Sequence, residues 1–136
     1  MKLILSFALA LMVSFTTQAQ AADKEQLARQ AAIAWLAQVD AGEYTASWES
    51  AAALLRNQVT AEQWATIASA ARKPLGAVLS RELINVTTTN SLPGAPDGEY
   101  VVLQFQTVFD NKASATELLT PMLDDGEWRV SGYFVR

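Results

Sequence analysis

The chain has 136 residues, no histidine and no cysteine, and 10 Lys and Arg against 14 Asp and Glu, for a net charge of −4. This excludes serine–histidine triads, thiol nucleophiles, histidine acid–base work, zinc sites of the usual kind and disulfide staples. An acidic chain without a basic stripe has nothing with which to neutralise phosphates, so nucleic acid is not an expected partner.

The opening residues read as a cleaved signal peptide over 1–21. Lys2 is the positive start, Leu3 to Phe15 the apolar run, and Ala19-Gln20-Ala21 a small-x-small cleavage site. The run is too short for a membrane span, which needs roughly 20 apolar residues. The expected product is a single domain over 22–136, periplasmic or secreted and without a stable membrane anchor.

From Asp23 to about Ala41 the pattern is helical, with Ala28, Ala32, Trp35, Leu36 and Val39 on one stripe and Gly42 following. A second helix is predicted from near Tyr44 to about Asn57, with Tyr44, Trp48, Ala51, Ala52 and Leu55 on one face. Thr60 and Gln63 form a capping box that opens a third helix. Its expected stripe is Ala61, Trp64, Ile67, Ala68 and Ala71. Arg72 and Lys73 suit its C-terminal dipole, and Pro74 ends it.

After Gly76 the pattern turns to β-branched residues. "AVLSRELINVTTT", "EYVVLQFQTVF", "ATELLTPML" and "EWRVSGYFV" read as four strands, the last two joined at Asp125-Gly126. Pro121 cannot donate to a ladder, so a bulge or a free edge is expected there. Helices followed by strands without alternation give an α+β fold: three N-terminal helices packed on one face of a four-stranded antiparallel meander.

A three-residue turn at 110–112 and a two-residue turn at 125–126 set a register. It places Phe105, Glu117 and Phe134 on the core face with Leu103, Leu119, Leu123, Trp128 and Val130. Tyr100, Val102, Gln104, Gln106, Thr116, Leu118, Met122, Arg129 and Tyr133 take the other face. Tyr100, Val102, Leu118, Met122 and Tyr133 would then form an apolar patch suited to a weak homodimer.

"AWLAQVDAGEYTASW", "QW…RKPLG", "SLPGAPDGEYVVLQF" and "GEWRVSGYFV" resemble the bacterial domain-of-unknown-function family 4019, over nearly all of residues 22–136. The resemblance implies an exported small protein without an assigned activity. By analogy it implies a cystatin-like or nuclear-transport-factor-like layout, helices curled against a bent sheet. It supplies no catalytic residues.

Glu117 is the carboxylate with the most chemistry to offer, since it interrupts an apolar face. It is either a general base in a groove between sheet and helices or a structural pair with Arg81 on the first strand. Asp40, in an interhelix turn, reads as a capping acceptor. Asp124, Asp125 and Glu127 lack the alternating ligands of a calcium loop, and no metal or cofactor is expected. Trp35, Trp48 and Trp64 on helix stripes read as core.

The segment from Asn90 to Tyr100 is a stiff loop, with Pro93-Gly94 a type II turn and Asp97-Gly98 a second reversal. Stiffness lowers the entropy cost of binding, so Leu92, Pro93, Pro96 and Asp97 are the candidate binding residues. The reading is a non-catalytic ligand-binding or protein-interaction module whose partner is an exported protein or a small ligand. The alternatives are a small enzyme using Glu117, or a cystatin-like inhibitor presenting the 91–98 loop without the glutamine-valine-glycine motif of true cystatins.

Overall fold

The structure, a computed structural model, describes residues 12–136, with side chains described from Gln18 onward. Lys2 and most of the apolar run ending at Phe15 therefore lie outside the described residues or side chains.

Helices come first: α1 (Met12–Asp40), α2 (Tyr44–Ser50), α3 (Ala53–Gln58) and α4 (Ala61–Arg72), then a 3-10 turn at Lys73–Leu75. Strands β1 (Val78–Thr89), β2 (Tyr100–Phe109), β3 (Lys112–Asp124) and β4 (Glu127–Val135) follow. They pair in the order β1-β2-β3-β4, antiparallel throughout. The fold is α+β, with the helices on one face of a meander sheet.

Helix α1 starts before Asp23, because no Gly or Pro interrupts residues 12–22; Ala19, Gln20 and Ala21 continue it and are exposed. Its predicted stripe is the core, with Ala28, Ala32, Trp35, Leu36 and Val39 all buried against Val101, Leu103, Phe105, Leu119 and Val130. Three tryptophans enter the structure with their indole N–H satisfied. Trp35 Nε1 donates to the Ser47 carbonyl at 2.8 Å, Trp64 Nε1 to Ser47 Oγ at 2.9 Å and Trp48 Nε1 to the Val59 carbonyl at 2.9 Å.

The single helix expected over 44–57 is two helices. Ala51 and Ala52 leave the helical region, and both are fully buried. Their extended backbone lets Ala52 N–H donate to the Val130 carbonyl at 2.8 Å, so the corner caps the free edge of β4. Asp124 Oδ2 then accepts from Ala53 N–H at 2.9 Å and opens α3. A backbone bond to β4 and a side-chain bond from Asp124 take the place of helical bonds given up at the break.

The capping box at Thr60 and Gln63 forms. The buried stripe of α4 differs from the one expected: it runs Trp64, Ala68, Arg72, while Ile67 and Ala71 face solvent. Arg72 is thus drawn inward rather than left to solvate the helix end.

In the sheet, Phe105 pairs with Glu117. The turn at Asp110-Asn111 has two residues, not three, and a bulge between Thr107 and Phe109 makes up the difference. Asp125 (φ 51°) and Gly126 (φ 82°) both take the left-handed region that a two-residue hairpin turn requires. The expected irregularity at Pro121 is a bulge: Leu119 pairs with Tyr133 and Pro121 with Val130, leaving Ser131 and Gly132 opposite Thr120. One extra residue flips every later side chain of β4 to the other face. Tyr133 consequently faces the helices, 5.4 Å from the Trp35 ring, and Phe134 is 58% exposed on the outer face.

The outer patch shrinks accordingly. Tyr133 leaves it, and Tyr100 is fully buried because the 90–99 loop folds back over its ring and accepts its hydroxyl at the Pro96 carbonyl, 2.6 Å away. Val102, Leu118 and Met122 remain, and Phe134 joins them.

Candidate functional site

The end of α1, the end of α4 and all four strands converge on one cluster of charged side chains. Arg81 enters it from β1, Thr107 from β2, Glu117 from β3 and Tyr133 from β4. Arg81 pairs with Thr107 across the ladder and Thr107 with Ala115, and Glu117 lies two residues further along β3 on the same face, so the three side chains meet beneath the helices. Asp40 is the last residue of α1 and Arg72 the last of α4.

Glu117 has no solvent exposure. Its Oε1 accepts from Arg81 Nε at 2.7 Å and from Thr107 Oγ1 at 2.6 Å; its Oε2 accepts from Arg81 Nη2 at 3.3 Å and from the Tyr133 hydroxyl. A carboxylate offers about four acceptor positions, and all four are taken. Arg81 turns its other edge to Asp40, with Nη1 to Oδ2 at 2.8 Å and Nη2 to Oδ1 at 2.9 Å. Arg72 Nη2 reaches the same Oδ1 at 2.8 Å, and its guanidinium lies 4.9 Å from the centre of the Phe109 ring. Two cations and two anions thus balance in one cluster, buried at Glu117 and Arg72 and open to solvent at Asp40.

Burial pushes the Asp40 carboxyl up, but hydrogen bonds and charge from Arg81 and Arg72 outweigh it and hold the group below its ordinary value. Burial would discharge Arg81, yet Asp40 and Glu117 together hold it more firmly protonated than a free arginine. Burial and the neighbouring Glu117 charge push the Tyr133 hydroxyl well above the usual tyrosine range, so it remains a donor. Asp40 and Arg81 keep 26% and 16% of their side chains exposed, and Tyr133 is half-buried. Among the described residues, the Arg72 Nε is the one buried side-chain nitrogen or oxygen without a partner.

Sequence reasoning brought Arg81 to Glu117 but missed the others. Asp40 caps no turn; it accepts from two arginines. Arg72 could have been found, because it continues the spacing of Trp64 and Ala68 by one helical turn. Tyr133 could not, since its face depends on the bulge.

The four loop residues lie apart from this cluster. Gly98 N–H donates to the Asn90 carbonyl at 3.0 Å and Ala95 N–H to the Leu92 carbonyl at 3.2 Å, which closes the loop on itself. Leu92 is half-buried, while Pro93, Pro96 and Asp97 are exposed. In the β3–β4 turn, Asp124 serves α3 and Glu127 pairs with Arg129 at 2.6 Å. Among the described residues, no group of three or more His, Cys, Asp or Glu side chains is placed to hold a metal ion. No described helix is long and apolar enough to cross a membrane.

A family model described as "Protein of unknown function (DUF4019)" matches residues 31–133. No curated protein and no solved structure matches the chain.

Proposed function

The chain belongs to the DUF4019 family of proteins of unknown function, so its role has to be read from its own residues, and we propose that it is an exported, non-catalytic interaction module. The observation that carries this reading is the state of Glu117. A general base needs a free lone pair aimed at substrate; this carboxylate has none, and no exposure. The alternative small enzyme loses its central residue.

Export rests on the Lys2, Leu3–Phe15 and Ala19–Ala21 pattern. The surface best suited to a protein partner is the 90–99 loop, whose internal bonds and Tyr100 anchor leave exposed Pro93, Pro96 and Asp97 already ordered. A pre-ordered loop surrenders little entropy on docking. An inhibitor presenting the same loop is one form of this reading.

Affinity capture from a periplasmic extract tests it, with the wild-type chain beside Asp97→Lys and Pro93→Ala. The reading expects a partner retained by the wild type and lost with the loop variants. Turnover of any substrate that disappears in a fully folded Glu117→Gln variant would overturn it.

A further inference from the structure

The helices cover one face of the sheet and leave the other open. Beyond Tyr100, which the 90–99 loop covers, the outward side chains of β2 and β3 are exposed or half-buried. From Val102 to Val108 and from Ser114 to Met122, none of those outward side chains is charged. A sheet face kept in water ordinarily reads polar; this one carries Val102, Leu118, Met122 and a 58% exposed Phe134. A centre without charge, with Met and Phe in it, is the composition of the core of a protein interface.

One row of that face decides what fits it. The ladder pairs Asn85 with Gln104, Gln104 with Leu118 and Leu118 with Phe134, so these four side chains stand in a line across all four strands. Each accepts its own copy as a neighbour. Leu118 and Phe134 are apolar, and the amides of Asn85 and Gln104 both donate and accept. The charges at the margin of the face, Glu82, Arg129 and Arg136, lie off this row.

We infer that this face is covered by a second copy of the chain, in a two-fold dimer whose axis runs along that row. Each of the four side chains then meets itself, and no charge does. The area agrees: four strands about 4.8 Å apart, rising about 3.3 Å per residue, offer roughly 500–600 Å² beyond the loop. Two such faces bury about 1,000–1,200 Å², at the lower limit of a specific interface, so the dimer is weak. A charged partner would find no opposite charge at the centre. A lipid surface would strip water from the two amides without replacing it, which is unfavourable. The free edge of β1 is a poorer route to a dimer, because bulges beside Leu79 and at Ile84 break its ladder, as native edges do to refuse a further strand.

The dimer goes beyond the interaction-module reading, which needs no second copy. Sedimentation equilibrium of the purified chain up to millimolar concentration tests it, beside Gln104→Glu, Gln104→Lys, Phe134→Lys and, on the β1 edge, Ile84→Lys. Circular dichroism establishes that each variant is folded. The wild type should pass reversibly from monomer to dimer. Gln104→Glu, Gln104→Lys and Phe134→Lys should each weaken the dimer at least about tenfold, because like charges then meet. An equimolar mixture of Gln104→Glu and Gln104→Lys should associate more tightly than either alone, and Ile84→Lys should match the wild type. A wild type that stays monomeric overturns the inference. So do face variants that dimerise as well as the wild type, a mixture no tighter than its components, or a dimer dissolved by Ile84→Lys. A partner captured through the loop by a strictly monomeric chain would remove the dimer and leave the module reading standing.

Discussion

Arg81 on β1 and Glu117 on β3 bond to each other across the intervening strand, Nε to Oε1 at 2.7 Å, with Thr107 of β2 donating to the same oxygen between them. The pair ties three strands through side chains as well as through the ladder. Asp40 extends the tie to α1, and Arg72 extends it to α4. The cluster is the point at which helices and sheet are fixed to one another by charge rather than by apolar contact.

Ser47 is fully buried, accepts from Trp64 Nε1 at 2.9 Å and donates to the Tyr44 carbonyl at 2.6 Å. Ser47→Ala leaves a buried indole N–H without a partner. The expected loss is about 1–3 kcal/mol, measured by urea melts. Trp64→Phe in the same background should add less than it does alone, because the orphaned donor is gone.

Gly132 sits at the β4 bulge, and a Cβ there would lie 2.7 Å from Thr120 Oγ1. Gly132→Ala should destabilise by about 1–3 kcal/mol through overpacking. Thr120→Ala should relieve part of that loss. A neutral Gly132→Ala would mean that the bulge, and with it the inward face of Tyr133, is misplaced.

Stability should fall at both ends of the pH range. The folded Asp40 carboxyl lies below its ordinary 3.8. Its contribution is therefore present above about pH 4 and lost as pH falls through the folded value. Asp40→Asn should flatten the acid limb of a melting-temperature profile. Tyr133 is displaced upward from 10.0, so its contribution is intact below pH 10 and lost as pH rises beyond it. Tyr133→Phe should flatten the alkaline limb, and tyrosinate absorbance should show that Tyr133 ionises only with unfolding.

Most of the fold is legible in the sequence, because it depends on local periods. The α1 stripe, the capping box at Thr60 and Gln63, the four strands and the Asp125-Gly126 turn each follow from spacing and turn chemistry. The errors arise where a distant contact decides. Ala51 and Ala52 are good helix formers, yet a carbonyl on β4 pulls them into an extended corner. Pro121 announces a bulge, but not which strand carries the extra residue, so Phe134 and Tyr133 exchange faces. The charged cluster was half visible: two charges interrupting apolar patterns indicate a pair. Asp40 and Arg72 lie at helix ends, where solvent is the ordinary expectation for a charge.

The central claim is that Glu117 is sealed into a structural ion-pair network, and a double-mutant cycle on Glu117 and Arg81 tests it most directly. Removing one partner of a buried pair typically costs about 3–5 kcal/mol. Urea melts of Glu117→Gln and Arg81→Met should each show a loss of that order, and the double variant should recover a substantial part of their sum. Strictly additive losses, or near-native stability in Glu117→Gln alone, would contradict the account and return Glu117 to the list of groups free to act on a substrate.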